Sequence, residues 1–119
     1  MSTVEATVIE ALQEALGVPA YGAPPEEHDE AFATVEALGG SRAAFARTHA
    51  LSVRWWAPSF EEAAALAAEG EAALQALQYG ESHPAICRVS MDSGASPRDI
   101  DPDTGQARYS TRCEITESI

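Results

Sequence analysis

The chain has 119 residues, 45% of them hydrophobic and 22% charged, which is the length of one domain with one core and excludes global disorder. Nineteen acids stand against seven bases, all Arg, for a net charge of −12. Such a chain is repelled by phosphate and by anionic lipid, which argues against a groove-reading nucleic-acid binder and against a membrane partner.

Ser2 and Glu5 form a capping box, S-x-x-E, ahead of Val4, Val8, Ala11, Leu12 and Ala15 at helical spacing. With Gly17 as the stop, the pattern predicts a first helix over 3–16. Residues 17–30 hold three Pro, two Gly and an acidic run, which predicts a loop with one short extended piece at 20–23. Alternation over 31–38 predicts a strand, and Gly39-Gly40-Ser41 reads as the turn that ends it. Phe45, Arg47, His49, Leu51, Val53 and Trp55 then share one parity, so a strand of about thirteen residues is expected, ended by Pro58. That is long by globular standards.

Ser59 and Glu62 form a second capping box. Phe60, Ala63, Ala67, Gly70, Leu74 and Leu77 give the apolar stripe of a second helix over 60–79, closed by Gly80. Strands are expected at 86–91 and 107–117, joined by a Gly/Pro/Asp-rich loop, 92–106, too long for a tight turn. A register with residue numbers summing to 200 would place Cys87 opposite Cys113 as two small buried thiols. Together these elements predict an α+β single domain in the order α-β-β-α-β-β. Two hairpins build an antiparallel sheet of about four strands, with two helices packed on one face.

Catalytic motifs are missing: there is no G-x-S-x-G elbow, no P-loop and no G-x-G-x-x-G, so no enzyme and no cofactor is expected. His28, His49 and His83 lack i,i+3 or i,i+4 partners, and no CxxC pair exists, so no metal site is expected. Asp99, Asp101 and Asp103 begin like a calcium loop. Thr104 separates the third acid from Gly105 and Ser110 falls at position twelve, so a plain Asp-Pro-Asp-Thr-Gly turn is the reading. No apolar run approaches the eighteen residues of a membrane span, and MSTVEAT lacks the regions of a signal peptide, so synthesis in the cytoplasm is expected. Trp55-Trp56 is the sharpest local oddity. Parity sends Trp55 into the core with Leu51 and Val53, and leaves Trp56 outside beside Arg54 as a contact for a partner.

The order of these features resembles the tail terminator proteins of long-tailed phages, especially those of high-GC Gram-positive hosts. It is carried by the first helix with Gly17-Val18-Pro19, then Phe32-Ala33-Thr34-Val35-Glu36 running into Gly39-Gly40. Val53-Arg54-Trp55-Trp56-Ala57, Ser59 with its Ala/Leu helix, and Asp101-Pro102-Asp103-Thr104-Gly105 ahead of Arg108-Tyr109 complete it. Relatives often carry an Arg before the Gly-Gly turn, where this chain has Ala37-Leu38.

The resemblance implies a small α+β fold and a homo-hexameric ring on the head-proximal end of the tail tube, assembled in the host cytoplasm. It implies a tail tube protein and a head–tail connector or neck protein as partners, and DNA that passes through without specific binding. A neck or tail-completion component and a small binding module of a bacterial host are the alternatives. In the ring, Trp56, Arg54, Arg98, Asp99, Asp101 and Asp103 are expected at the assembly interface, with the 92–106 loop projecting from the sheet. Residues 1–41 carry eight acids and no base, and the second helix carries Glu61, Glu62, Glu69 and Glu71 and no base. Those four Glu are expected to face the DNA passage as a solvated surface that holds no packing.

Overall fold

The computed structural model of the protein describes residues 3–24, 30–80, 83–91, 99–100 and 105–118. In chain order the elements are α1 (Thr3–Leu16), β1 (Ala20–Tyr21), β2 (Phe32–Arg42), β3 (Ala46–Ala57), α2 (Phe60–Ala76), β4 (Ile86–Met91), β5 (Asp99–Ile100) and β6 (Ala107–Ser118). A 3-10 turn, Leu77–Tyr79, prolongs α2. The fold is α+β, as expected, with a larger and differently ordered sheet. Five strands run β1-β2-β3-β6-β4, and β5 pairs with β6 beside them. The pairings are antiparallel except β1 with β2, which is parallel, so the sheet is mixed.

The two long strands sit side by side. β3 and β6 pair over twelve residues, from Ala46↔Ser118 to Ala57↔Ala107. Their odd-numbered residues face the helices, where Leu51, Val53, Trp55, Cys113 and Ile115 are buried. From α1, Val4, Val8 and Leu12 close over this layer, one helical turn apart. Gly17, at φ 66°, ends α1 by donating its N–H to the Gln13 carbonyl at 3.1 Å, the left-handed stop that a side chain disfavours. Ser2 lies outside the described residues.

α2 starts as its sequence dictates, with the Ser59 hydroxyl accepting the Glu62 N–H at 3.2 Å. Its stripe of Ala63, Leu66, Ala67, Gly70 and Leu74 is buried. Gly70 lies flat on the indole of Trp55: a Cβ there would stand 2.2 Å from the ring. The missing side chain is what lets the helix approach the largest core residue.

Three expectations are corrected. β2 does not end at Leu38. It runs through Gly39 and Gly40 to Arg42, with a register shift between Ala37 and Gly39 that leaves Leu38 as the extra residue. Gly39 sits at φ 120°, so the glycine pair makes a bulge rather than the turn. The turn falls at 43–45, closed by the Ala43 N–H on the Ala46 carbonyl at 2.8 Å, and it puts Phe45 outside, 82% exposed. β4 pairs with β6 several residues away from the expected register, with a further one-residue shift between Ile86 and Arg88, so Met91 and not Cys87 stands opposite Cys113. Cys113 is buried and Cys87 is exposed. Finally, the 92–106 segment is not loop throughout, because 99–100 lie back along β6, with Asp99 paired to Arg108.

Candidate assembly surface

The surface divides by charge. α1 and α2 bring Glu5, Glu10, Glu14, Glu61, Glu62, Glu69 and Glu71, and no base, to one side of the sheet. On the opposite face, the even-numbered residues of β3 and β6 and their partners place Arg54, Arg108 and Arg112 in successive register positions, and Arg88 opposite Thr116. Glu36 and Glu114 share that face with the four Arg. Over its packed part the sheet therefore separates an acidic helical side from an Arg-bearing side, while Arg42 and Arg47 at the hairpin tip fall on the helix-facing parity beyond the helices. Like charges within each side repel, and opposite charges on two such molecules attract.

Arg54 is exposed on the Arg-bearing side, as expected. It lines a pocket of about 240 Å³ with Thr34, Glu36, Ser52 and the chain at 22–24. Trp56 does lie on the face opposite Trp55, but its expected exposure is overturned: only 3% of it is accessible. Its ring stacks on Phe32 at 5.0 Å and 16°, its Nε1 donates to Thr34 Oγ1 at 3.1 Å, and the Arg108 guanidinium lies 5.0 Å from its centroid. Tyr21 meets Phe32 edge-on at 5.9 Å. A second, aromatic layer thus covers the Arg-bearing side of the sheet at this end, and strand parity gives no sign of it.

Of the remaining expected contact residues, Asp99 has its backbone in β5, while Arg98, Asp101 and Asp103 lie outside the described residues. The structure therefore brings Arg54 and Trp56 onto one face with Arg108, and sets the Asp99 backbone alongside.

The four Glu of α2 are not equivalent. Glu61, Glu62 and Glu69 are exposed. Glu71 is half-buried and accepts the Thr111 hydroxyl at 3.0 Å, while Thr111 in turn accepts the Trp55 N–H at 2.9 Å. The expectation that this row holds no packing fails at Glu71, because its carboxylate completes the polar path over the buried indole.

No family model matches the chain, and no curated protein matches it. Among solved structures, it is similar to a chain from the virion of a native gene transfer agent (GTA) particle. That likeness covers 98% of this chain and 95% of that one, with a TM-score of 0.60 and 14% identity. At that identity the two share a fold.

Two surface features escaped the sequence reading. The end of the β2–β3 hairpin stands beyond the packed part of the sheet, with all of residues 36–45 exposed. The excess length of the predicted β3 was its signal. The other is a groove of about 570 Å³ between α1 and α2, floored by Ala and Leu and edged by Glu10 and Glu14. Among the described residues no three His, Cys, Asp or Glu cluster as a metal site would require, and no helix is long and apolar enough to cross a membrane.

Proposed function

We propose that the protein is a structural component of a virion, a tail terminator that forms a six-fold ring on the head-proximal end of a tail tube. The likeness to a gene transfer agent virion chain over nearly its whole length carries this reading. The order of sequence motifs supports it, and so does a surface split into acidic and Arg-bearing sides, which lets six copies of charge −12 each pack with unlike charges together. The ring stops tube growth and offers a docking surface to the head–tail connector. Its work is assembly, not catalysis.

In the ring, Arg54 and the segment with Arg98, Asp99, Asp101 and Asp103 meet neighbouring subunits or the tube. Glu61, Glu62 and Glu69 face the passage or its mouth and repel DNA, so the duplex slides without being held.

Light scattering and electron microscopy of the purified protein, alone and with its tail tube protein, test the reading. Hexameric rings seated on tube ends are the expected result. A monomer under both conditions would overturn it, and a ring that binds only the head-side connector would make the protein a neck component instead.

A further inference from the structure

The β3 side of the β2–β3 hairpin is held by β6 as far as Ala46, with Thr48 bonded to Thr116 and His49 to Glu117, but its tip leaves groups that one molecule does not cover. Among the described residues the exposed large hydrophobics are Leu38 and Phe45, and both are on this hairpin. At its tip Arg42 and Arg47 are register partners. Like charges directly opposite on an antiparallel pair are destabilising. Neither has a carboxylate bound to it among the described residues. Glu117 stands opposite Arg47 on β6 but is bonded to His49, so the tip presents an exposed aromatic between two Arg, the composition of an interface anchor.

The complement is on the same molecule. The α1/α2 groove has an apolar floor of Ala11, Ala73 and Leu77, and Glu10 and Glu14 stand exposed on its rim. Its 570 Å³ has ample room for a phenylalanine ring and the turn that carries it. Two Arg beside an apolar knob match two Glu beside an apolar hole. Tip and groove are separate patches, so one copy's tip can enter the next copy's groove in sequence, and repetition of that contact closes a ring or extends a filament.

We infer that the hairpin tip, with Phe45 between Arg42 and Arg47, docks in the α1/α2 groove of a second copy of this chain. This inference rests on the ring reading above and names the contact that builds the ring.

The test uses charge reversal in the full chain. Arg42→Glu with Arg47→Glu sets a negative tip against a negative groove, and Glu10→Arg with Glu14→Arg sets a positive groove against a positive tip. Each double variant alone is expected to stay folded and monomeric in light scattering, with and without tube protein, with a small drop in melting temperature for the tip variant, whose residue 47 faces Glu117. Mixed in equal amounts, the two are expected to assemble again, because each tip then meets a groove of opposite charge in an alternating ring. Phe45→Ala is expected to weaken assembly tenfold or more. If either double variant assembles as the unaltered protein does, or the mixture fails while that protein forms rings, the contact is overturned and the ring reading stands. If the unaltered protein forms no ring on tube ends, both fall.

Discussion

Residues 32–35 are buried on both parities of β2, whereas residues 36–45 of the same hairpin are exposed on both. One end lies between two layers, with the Trp55 side under α2 and the Trp56 side under Phe32 and Arg108. The other end extends past both. Alternation along a strand assigns each side chain to a face, but whether that face is covered depends on what the rest of the chain lays over it. The packed end answers to the monomer's stability, and the free end answers to whatever the monomer meets.

The largest effects should fall on the packed end, equally on its two faces. Trp55→Ala and Trp56→Ala should each cost about 3–5 kcal/mol, because each removes a buried indole, leaves a cavity and takes away the N–H that Thr111 or Thr34 accepts. Thermal or urea unfolding of the two variants measures this. A Trp56→Ala protein as stable as the unaltered one would mean that the second layer is not a real layer.

Alkaline pH probes the same end. Burial in the core, with Glu114 adding to it, pushes the Cys113 thiol from 9.0 up to about 11. The folded state therefore holds this proton longer than the unfolded chain does. Its contribution is fully present below pH 9 and is lost as pH rises towards 11, by about 3 kcal/mol at most. Cys113→Ala should flatten that part of the stability profile, while Cys87, exposed at the β4 bulge, should be the thiol that alkylating reagents reach in the folded protein.

Midway along the arm, at Gly40↔His49, Gly40 lets the two strands approach closely. A Cβ there would stand 2.3 Å from the Thr48 carbonyl oxygen, so Gly40→Ala should cost about 1–3 kcal/mol by prising the strands apart. Hydrogen exchange should speed up at amides of 36–50 and stay slow in 53–57 and 109–115. Uniform loss of protection would show that arm and core unfold as one. On α2, Glu71→Ala should cost about 1 kcal/mol by taking the acceptor from Thr111, and Glu69→Ala should stay within about 0.5 kcal/mol.

Much of this was legible in the residues. Both helices, the Ser59 cap, the Gly17 stop and the long strand over 46–57 follow from capping chemistry and periodicity, which are local. The errors came where one local pattern serves two structures. Gly39-Gly40 suits a turn and a bulge equally, and only the continued pairing of β2 with β3 out to Arg42↔Arg47 decides between them. The β4–β6 register differs from the expected one by four residues, of which the β4 bulge accounts for one; the long 92–106 connection is no tight turn and so fixes no register. The Arg-bearing face was foreshadowed by the placement of all seven Arg after residue 41, but which Arg share a face depends on the β3–β6 pairing. The groove belongs to two helices far apart in the chain, beyond the reach of any local rule.

The smallest effect on stability should come from Phe45→Ala. Replacing a large aromatic costs several kcal/mol where it leaves a cavity, but at 82% exposure there is no cavity to leave. The side chain's apolar area is already in water when the monomer is folded, so its removal should leave the melting temperature unchanged within about 0.5 kcal/mol. The adjacent Arg42 and Arg47 keep their repulsion across the turn, so even the cost of that pairing persists. Any loss through Phe45→Ala must then appear in association. Parallel measurement of melting temperature and light scattering separates the two. A drop of several degrees in the monomer would mean that the tip folds back onto its own molecule, and the division between a packed end and a free end would no longer hold.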